Sequence, residues 1–217
     1  MAPSIQHLLA DVDHVVWDWN GTLIDDHACC VQVINTLLRE EGLPEIDRAR
    51  YRAQFDFPVR RYYERLGFDL EGERWESLAA RFIEGYERRV AECRLHDAAV
   101  DVLSAVSSRG ARSSILSAAR ATAIEPLLER YGVRGFFTEI VGLDDHYANG
   151  KLKLGVDWIR SRSFDRERVI LVGDTVHDFE VANAMGIRCV LVSAGHHDRR
   201  RLEQCGCAVV DRLQELL

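Results

Sequence analysis

The sequence predicts an α/β fold, a parallel sheet with helices on its faces, interrupted after its first strand by an all-helical insertion. Three observations predict it. From about Asp97 onward, short apolar runs alternate with helical patterns. Between about Ala28 and Cys93 only helical spacing occurs. The chain has 217 residues with 47% hydrophobic content, enough to bury a core of this kind.

The elements follow in order. The stretch "VVWDWNGTLIDD", Val15 to Asp26, opens as an apolar strand that delivers Asp18 to its tip, and an Asn20-Gly21 turn follows. Val31, Ile34, Leu37 and Leu38 then recur at helical spacing, with Gly42 closing that helix. Pro58 suits the first turn of another helix, carrying Tyr62, Tyr63 and Leu66 before Gly67 stops it. Trp75, Leu78, Phe82, Ile83, Tyr86 and Val90 mark a longer one. The insertion amounts to about 65 to 70 residues; its boundaries are set at 25–95, with 1–24 and 96–217 forming the core. Beyond it, "SSILSA", "FFTEIVG", "RVILVGD", "RCVLVSA" and "CAVVD" read as strands separated by helices.

The formal charge is −7, from 35 acidic and 28 basic residues, which disfavours a nucleic-acid partner; a small anion needs only local positive charge. No apolar run is long enough to span a bilayer, and "MAPSIQHLLADVDH" lacks the basic start and apolar centre of a signal peptide. No membrane association and a cytoplasmic location are therefore expected. Cys29, Cys30, Cys93, Cys189, Cys205 and Cys207 form no CxxC pair and are expected as reduced, mostly buried thiols. The pair His196-His197 has nothing near it in sequence to complete a metal set and is expected in a solvated loop.

In a parallel sheet, ligands sit beyond the carboxyl ends of the strands, and Asp18, Ser117 and Asp174 each fall at or just past such an end. In "GDTVHD", 173–178, Asp178 follows Asp174 by one helical turn, so a helix starting near Val176 brings the two carboxylates to one side. Either acid alone suits a helix cap. With Asp18 added, the three suit an oxygen-ligated Mg²⁺. Three carboxylates also need compensating charge. Of the 28 basic residues only Lys151 and Lys153 are lysines, and both lie in "NGKLKLG" at the mouth of a helix. A compact ammonium suits a phosphate oxygen; a solvated pair of helix-start lysines is the competing reading. Ser117 reads either as the N-cap of a segment starting near Ala119 or as a hydroxyl that holds a phosphate oxygen.

Taken in order, "DWNGT", "ILSA", "GKLKLG" and "GDTVHD", with a helical insertion after the first, resemble the haloacid dehalogenase-like hydrolase superfamily over nearly the whole chain. "FDFPVRRYYERLGFD" looks like a phosphoglycolate-phosphatase-like branch. The resemblance implies a Rossmann-like core with a helical cap and a Mg²⁺-dependent phosphohydrolase acting on a small phosphorylated metabolite, phosphoglycolate being the branch's suggestion. It makes Asp18 the nucleophile that forms an aspartyl-phosphate. Ser117 holds the phosphoryl oxygens and Lys151 neutralises charge, with Lys153 in its place if the motif is read two residues later. Asp18, Asp174, Asp178 and the backbone carbonyl of Asn20 hold Mg²⁺. Arg52, Arg60, Arg61, Tyr62 and Tyr63 offer substrate contacts from the cap, Arg60 and Tyr63 being chosen; since Tyr62 and Tyr63 cannot both face the core of one helix, one is expected at the crevice.

One position departs from the family. Where Asn20 stands, its phosphatases normally carry an aspartate that protonates the leaving oxygen and then helps water attack. An amide performs neither proton transfer, although its backbone carbonyl still serves a metal. The alternative is therefore a phosphate-ligand-binding or regulatory protein with weak turnover. Phosphonate-cleaving relatives need a cap lysine, and this insertion contains none. Dehalogenases carry a tyrosine and use no metal, whereas the acid pair in "GDTVHD" argues for metal ligation.

Overall fold

The computed structural model describes residues 8–143 and 151–217. The first seven residues of the chain, and Asn149 and Gly150 of the lysine motif, lie outside the described residues. The element order begins with β1 (His14–Trp17), β2 (Ile24–Asp25), α1 (His27–Glu40), α2 (Arg48–Gln54), α3 (Val59–Leu66), α4 (Arg74–Val90) and β3 (Arg94–Leu95). It continues with α5 (Ala99–Ser108), β4 (Arg112–Leu116), α6 (Ala121–Arg130), β5 (Phe137–Val141) and α7 (Leu152–Arg160). The last elements are β6 (Val169–Gly173), α8 (Val176–Met185), β7 (Arg188–Val192), α9 (Arg199–Glu203) and β8 (Ala208–Val210).

Six strands form one parallel sheet in the order β5-β4-β1-β6-β7-β8. Strand alternation sorts its two faces. Val15 and Trp17 of β1 join Ile115, Ile170 and Val172 in a cluster under α5, whereas Val16 joins Leu116 and Leu171 under α7 and α8. Burial on both faces is why these strands read as unbroken apolar runs rather than alternating ones.

The register places the chemistry. Trp17 is paired with Ile115 of β4 and with Val172 of β6, so the residues that follow, Asp18, Ser117 and Asp174, emerge at one level from three adjacent strands. The chain leaves β1 for β4 on one side and reaches β6 on the other, which opens a crevice at the carboxyl edge.

Helices α1 to α4 lie between β2 and β3, which pair antiparallel as Ile24 with Leu95 and Asp25 with Arg94. These helices share a hydrophobic cluster of their own, built on Ile34, Leu38, Tyr62, Tyr63, Trp75 and Leu78. Gly67 ends α3 in the left-handed region, φ 97°, as the sequence reading expects. Pro58 precedes α3 as its N-cap. Tyr62 and Tyr63 are both buried. Partners enclose α3 on two sides: Tyr62 meets Tyr51 and Phe55, and Tyr63 meets Phe68 and Trp75.

The six cysteines are free, Cys29 and Cys30 buried and the other four half-buried. Among the described residues, no helix is long and apolar enough to cross a membrane.

Candidate active site

Asp18, at the end of β1, is almost fully buried. The Lys151 ammonium donates to Asp18 Oδ1 and, at 2.7 Å, to the Leu116 carbonyl, and it lies 2.7 Å from Asp178 Oδ1. Lys151 is the N-cap of α7, which carries it from the helix mouth into the sheet edge. The choice between the lysines follows: Lys151 is 2% exposed, whereas the Lys153 side chain is 89% exposed and pairs with Asp157 on its own helix.

Asp174 and Asp178 arrive from β6 and the first turn of α8. Thr175 caps α8 in a capping box with Asp178, whose Oδ2 accepts from the Asp174 and Thr175 backbone N–H groups and, at 2.6 Å, from the Thr175 hydroxyl. Asp174 Oδ1 accepts from the Thr22 hydroxyl at 2.8 Å, and its Oδ2 from the His196 backbone N–H at 2.6 Å. This crowding explains two glycines. A Cβ on Gly21, at φ +77°, would lie 2.4 Å from Asp174 Oδ2, and one on Gly173 would lie 2.3 Å from Asp178 Cγ.

Oxygens of Asp18, Asp174 and Asp178 lie within 4.8 Å of one another, and all three side chains are buried. Burial raises the Asp18 carboxyl well above its ordinary pKa, with Asp178 and Asp174 adding to the rise against the opposing charge of Lys151. Asp174 is raised as well, again chiefly by burial. Asp178 falls below its ordinary value, because Lys151 and Thr175 together outweigh its burial. Three buried acids share one ammonium. A hard divalent cation fits this all-oxygen donor set and offsets its remaining charge.

Ser117 is buried and its hydroxyl accepts from the Ala119 N–H at 3.0 Å. It does not cap a helix, because α6 begins only at Ala121, after Arg120. Ser117 lines the crevice together with Asp18 and Lys151.

Asn20 donates from Nδ2 to Asp26 Oδ2 and to the Tyr86 hydroxyl oxygen, each at 2.7 Å, and the Tyr86 hydroxyl in turn donates to Asp26 Oδ2 at 2.7 Å. Asp26 is fully buried and pairs with His196 Nε2 at 3.1 Å, while His196 Nδ1 meets the Tyr51 hydroxyl at 2.9 Å. Burial opposes the charge on His196, but Asp26 outweighs it and raises the imidazole to about 9. The same pair holds the Asp26 carboxyl below its ordinary pKa despite burial.

The expected solvated His196-His197 loop is thus corrected: both histidines are buried. Tertiary structure brings Asp26 and Cys30 beside His196, residues that no local pattern connects. Asp26, Thr22, Tyr51, Tyr86 and His196 escaped the sequence reading for that reason.

The insertion roofs the site. Both Tyr62 and Tyr63 line the crevice, together with Phe55, Phe57, Phe82 and Tyr86. The cap arginines do not join them. Arg60 bonds the Leu70 carbonyl and pairs with Glu64 on the outer face of α3, Arg61 is exposed, and Arg52 donates to the Ser193 and His197 carbonyls. Helix α3 turns Arg60 and Arg61 outward because its aromatic residues take the inner face, and Arg52 on α2 is tied instead to the loop after β7.

A carboxylate-and-lysine crevice at the carboxyl edge of a parallel sheet, roofed by an inserted helical unit, lies where α/β proteins of this class bind their ligands. Residues 15–192 match the family model described as haloacid dehalogenase-like hydrolase, and the chain belongs to that family. It is 26% identical over 196 residues to phosphoglycolate phosphatase from Synechococcus elongatus, covering 87% of each chain. It is 28% identical to phosphoglycolate phosphatase from Caulobacter vibrioides, covering 84% of this chain and 79% of that one. A haloacid dehalogenase-like family hydrolase from Streptococcus pneumoniae shares the fold with a TM-score of 0.80 at 18% identity, covering 95% of this chain and 97% of that one. The chain is an enzyme of the phosphatase type within this family.

Proposed function

We propose that the protein is a Mg²⁺-dependent phosphohydrolase that removes phosphate from a small phosphorylated metabolite through an aspartyl-phosphate on Asp18. The observation that carries this reading is the Lys151 ammonium set between Asp18 and Asp178 at the sheet edge. Asp18, Asp174, Asp178 and the Asn20 carbonyl would hold the ion, which supplies positive charge opposite the phosphoryl oxygens. Lys151 offsets part of the burial that raises the Asp18 carboxyl and meets the charge that builds on the phosphoryl group. Ser117, which lines the crevice, would offer its hydroxyl to a phosphoryl oxygen. A cytoplasmic location is part of this proposal.

The relatives' names make phosphoglycolate the reference substrate. One observation favours the second reading, a phosphate-ligand-binding protein with weak turnover: the Asn20 amide is fixed on Asp26 and Tyr86, and no acid stands in its place. Phosphate release from a panel of phosphate esters, with Mg²⁺ and with chelator, separates the two. Turnover that needs the metal and is lost in Asp18→Asn supports the phosphohydrolase; tight phosphate binding without turnover on any ester supports the second.

A further inference from the structure

Two independent features of the crevice restrict what it turns over. The first is the roof. Eight of the residues that line the crevice are aromatic. Phe57 stacks on His177 with ring centroids 4.8 Å apart and an interplanar angle of 29°, while Phe55 meets Tyr62 edge-on at 5.4 Å. Among the described lining residues the only lysine or arginine is Lys151, which already faces Asp18 and Asp178. The charge of His196 is matched by Asp26. A second anionic group on the substrate, such as the carboxylate of phosphoglycolate, finds no free cation among these residues. A flat apolar group finds rings on several sides.

The second feature is that, among the described residues, the side chains of Asn20, Tyr86, His196 and His177 are all engaged and offer no free proton donor to the leaving oxygen. Both Asn20 amide hydrogens have partners, and the Tyr86 hydroxyl donates to Asp26. His196 has Tyr51 and Asp26 on its two nitrogens. His177 accepts the Lys151 N–H on Nε2 and has Glu180 at Nδ1. A leaving group in this site departs as an anion. A phenolate does so readily, ionising near pKa 10 as a tyrosine side chain does; an alkoxide is far more basic and needs a general acid worth about 10² to 10⁴ in rate.

We infer that the substrate is an aryl phosphate monoester whose uncharged ring is held by the aromatic wall of the insertion. This rests on the phosphohydrolase reading above. In the first step an Asp18 carboxylate oxygen bonds to phosphorus as the P–O bond to the ring oxygen breaks, and that oxygen leaves with the electron pair as a phenolate, protonated afterwards by bulk water. In the second, water bonds to phosphorus and the P–O bond to Asp18 breaks. The carboxylate is restored, and both protons of the water leave with inorganic phosphate or pass to solvent.

The test compares phenyl phosphate, benzyl phosphate, acetyl phosphate and phosphoglycolate with Mg²⁺ present. Phenyl phosphate should exceed benzyl phosphate at least 100-fold in kcat, since both carry the ring and only one carries the good leaving group. It should have a KM at least 10-fold below that of acetyl phosphate, which leaves well but has no ring. Phe57→Ala should reduce this KM preference at least fivefold. A kcat/KM for phosphoglycolate equal to or above that for phenyl phosphate overturns the inference. Calorimetric binding of phenylphosphonate against phosphonoacetate reads recognition without turnover. Tighter phenylphosphonate binding upholds the aryl site even if no ester is hydrolysed, a result that would remove the phosphohydrolase reading alone; equal or weaker binding overturns the aryl site itself.

Discussion

Asn20 Nδ2 lies 2.7 Å from Asp26 Oδ2, with the Tyr86 hydroxyl bonded to both. The amide therefore answers a buried carboxylate six residues later. An acid at position 20 would set a second carboxyl against Asp26, and two carboxyls at hydrogen-bond range share one proton with one pKa strongly raised. Asn20→Asp alone should gain little turnover of alkyl phosphates above neutral pH and should lower stability there. The exchange Asn20→Asp with Asp26→Asn keeps an amide opposite a carboxylate and moves the acid to the leaving oxygen. It should raise kcat on benzyl phosphate by about 10² or more, the ordinary worth of general acid catalysis. Steady-state rates of the two variants on benzyl and phenyl phosphate check this; an equal gain on both esters would show that the acid is not acting on the leaving group.

Lys151 is the buried ammonium among three carboxylates, and Lys153 is solvated on the outer face of α7. Lys151→Ala should lower kcat by about 10² to 10³, the loss typical of removing one preorganised stabilising donor. It leaves Asp18 and Asp178 without their shared counter-charge, so its Tm should also fall. Lys153→Ala removes only an exposed pair within one helix and should change Tm and kcat little. Thermal melts and phosphate-release rates of both variants measure the contrast.

The acids and the lysine were legible because they sit on features that short-range pattern reveals. Strand ends locate Asp18, Ser117 and Asp174, one helical turn locates Asp178, and a helix mouth locates Lys151. The network of Asp26, Tyr86, Tyr51 and His196 was not legible, since its members come from the start of α1, the far half of α4, α2 and the loop after β7. Only the closing of the insertion onto the sheet edge brings them together. The same blindness made His196-His197 look like a polar loop and left Arg60 free to be imagined at the substrate. Strand β2 pairs with β3 over two residues each, too short for any period to register.

His14, at the start of β1, is buried against Trp158 and Phe164, and its Nε2 meets the Ser114 hydroxyl at 2.9 Å. Burial, helped by the charge of Arg112 and opposed by Glu139, lowers it from 6.5 to about 4. Between those values the unfolded chain holds the proton and the folded one does not. Stability is therefore full above about pH 6.5 and falls as the pH drops toward 4, by on the order of 3 kcal/mol at most for this group. His197, lowered to about 3 chiefly by burial, acts in the same direction. His14→Gln keeps a polar group near Ser114 without the titration, so denaturant midpoints of this variant should decline less steeply than wild type from pH 7 to 4. An unchanged slope would assign the acid sensitivity elsewhere.

The last prediction concerns metal binding apart from catalysis. Asp18, Asp174 and Asp178 repel one another in a buried setting, and burial raises two of them above their ordinary pKa. A cation that binds only the folded arrangement stabilises it by about 2.7 kcal/mol at 100 times its Kd. For a chain of this length that amounts to a rise in Tm of roughly 5 to 10 °C. Mg²⁺ should produce such a shift in the wild-type protein without substrate, and chelator should reverse it. Asp174→Asn removes one charged ligand and keeps an oxygen toward Thr22, but it turns an NH2 donor toward the His196 N–H that Asp174 Oδ2 accepts, so Tm in chelator should fall and the Mg²⁺-dependent shift should shrink. The size of the Mg²⁺-dependent shift, read apart from the Tm in chelator, distinguishes a metal ligand from a residue that merely packs. A fall in Tm of Asp174→Asn in both conditions, with the Mg²⁺ shift intact, would remove Asp174 from the ligand set.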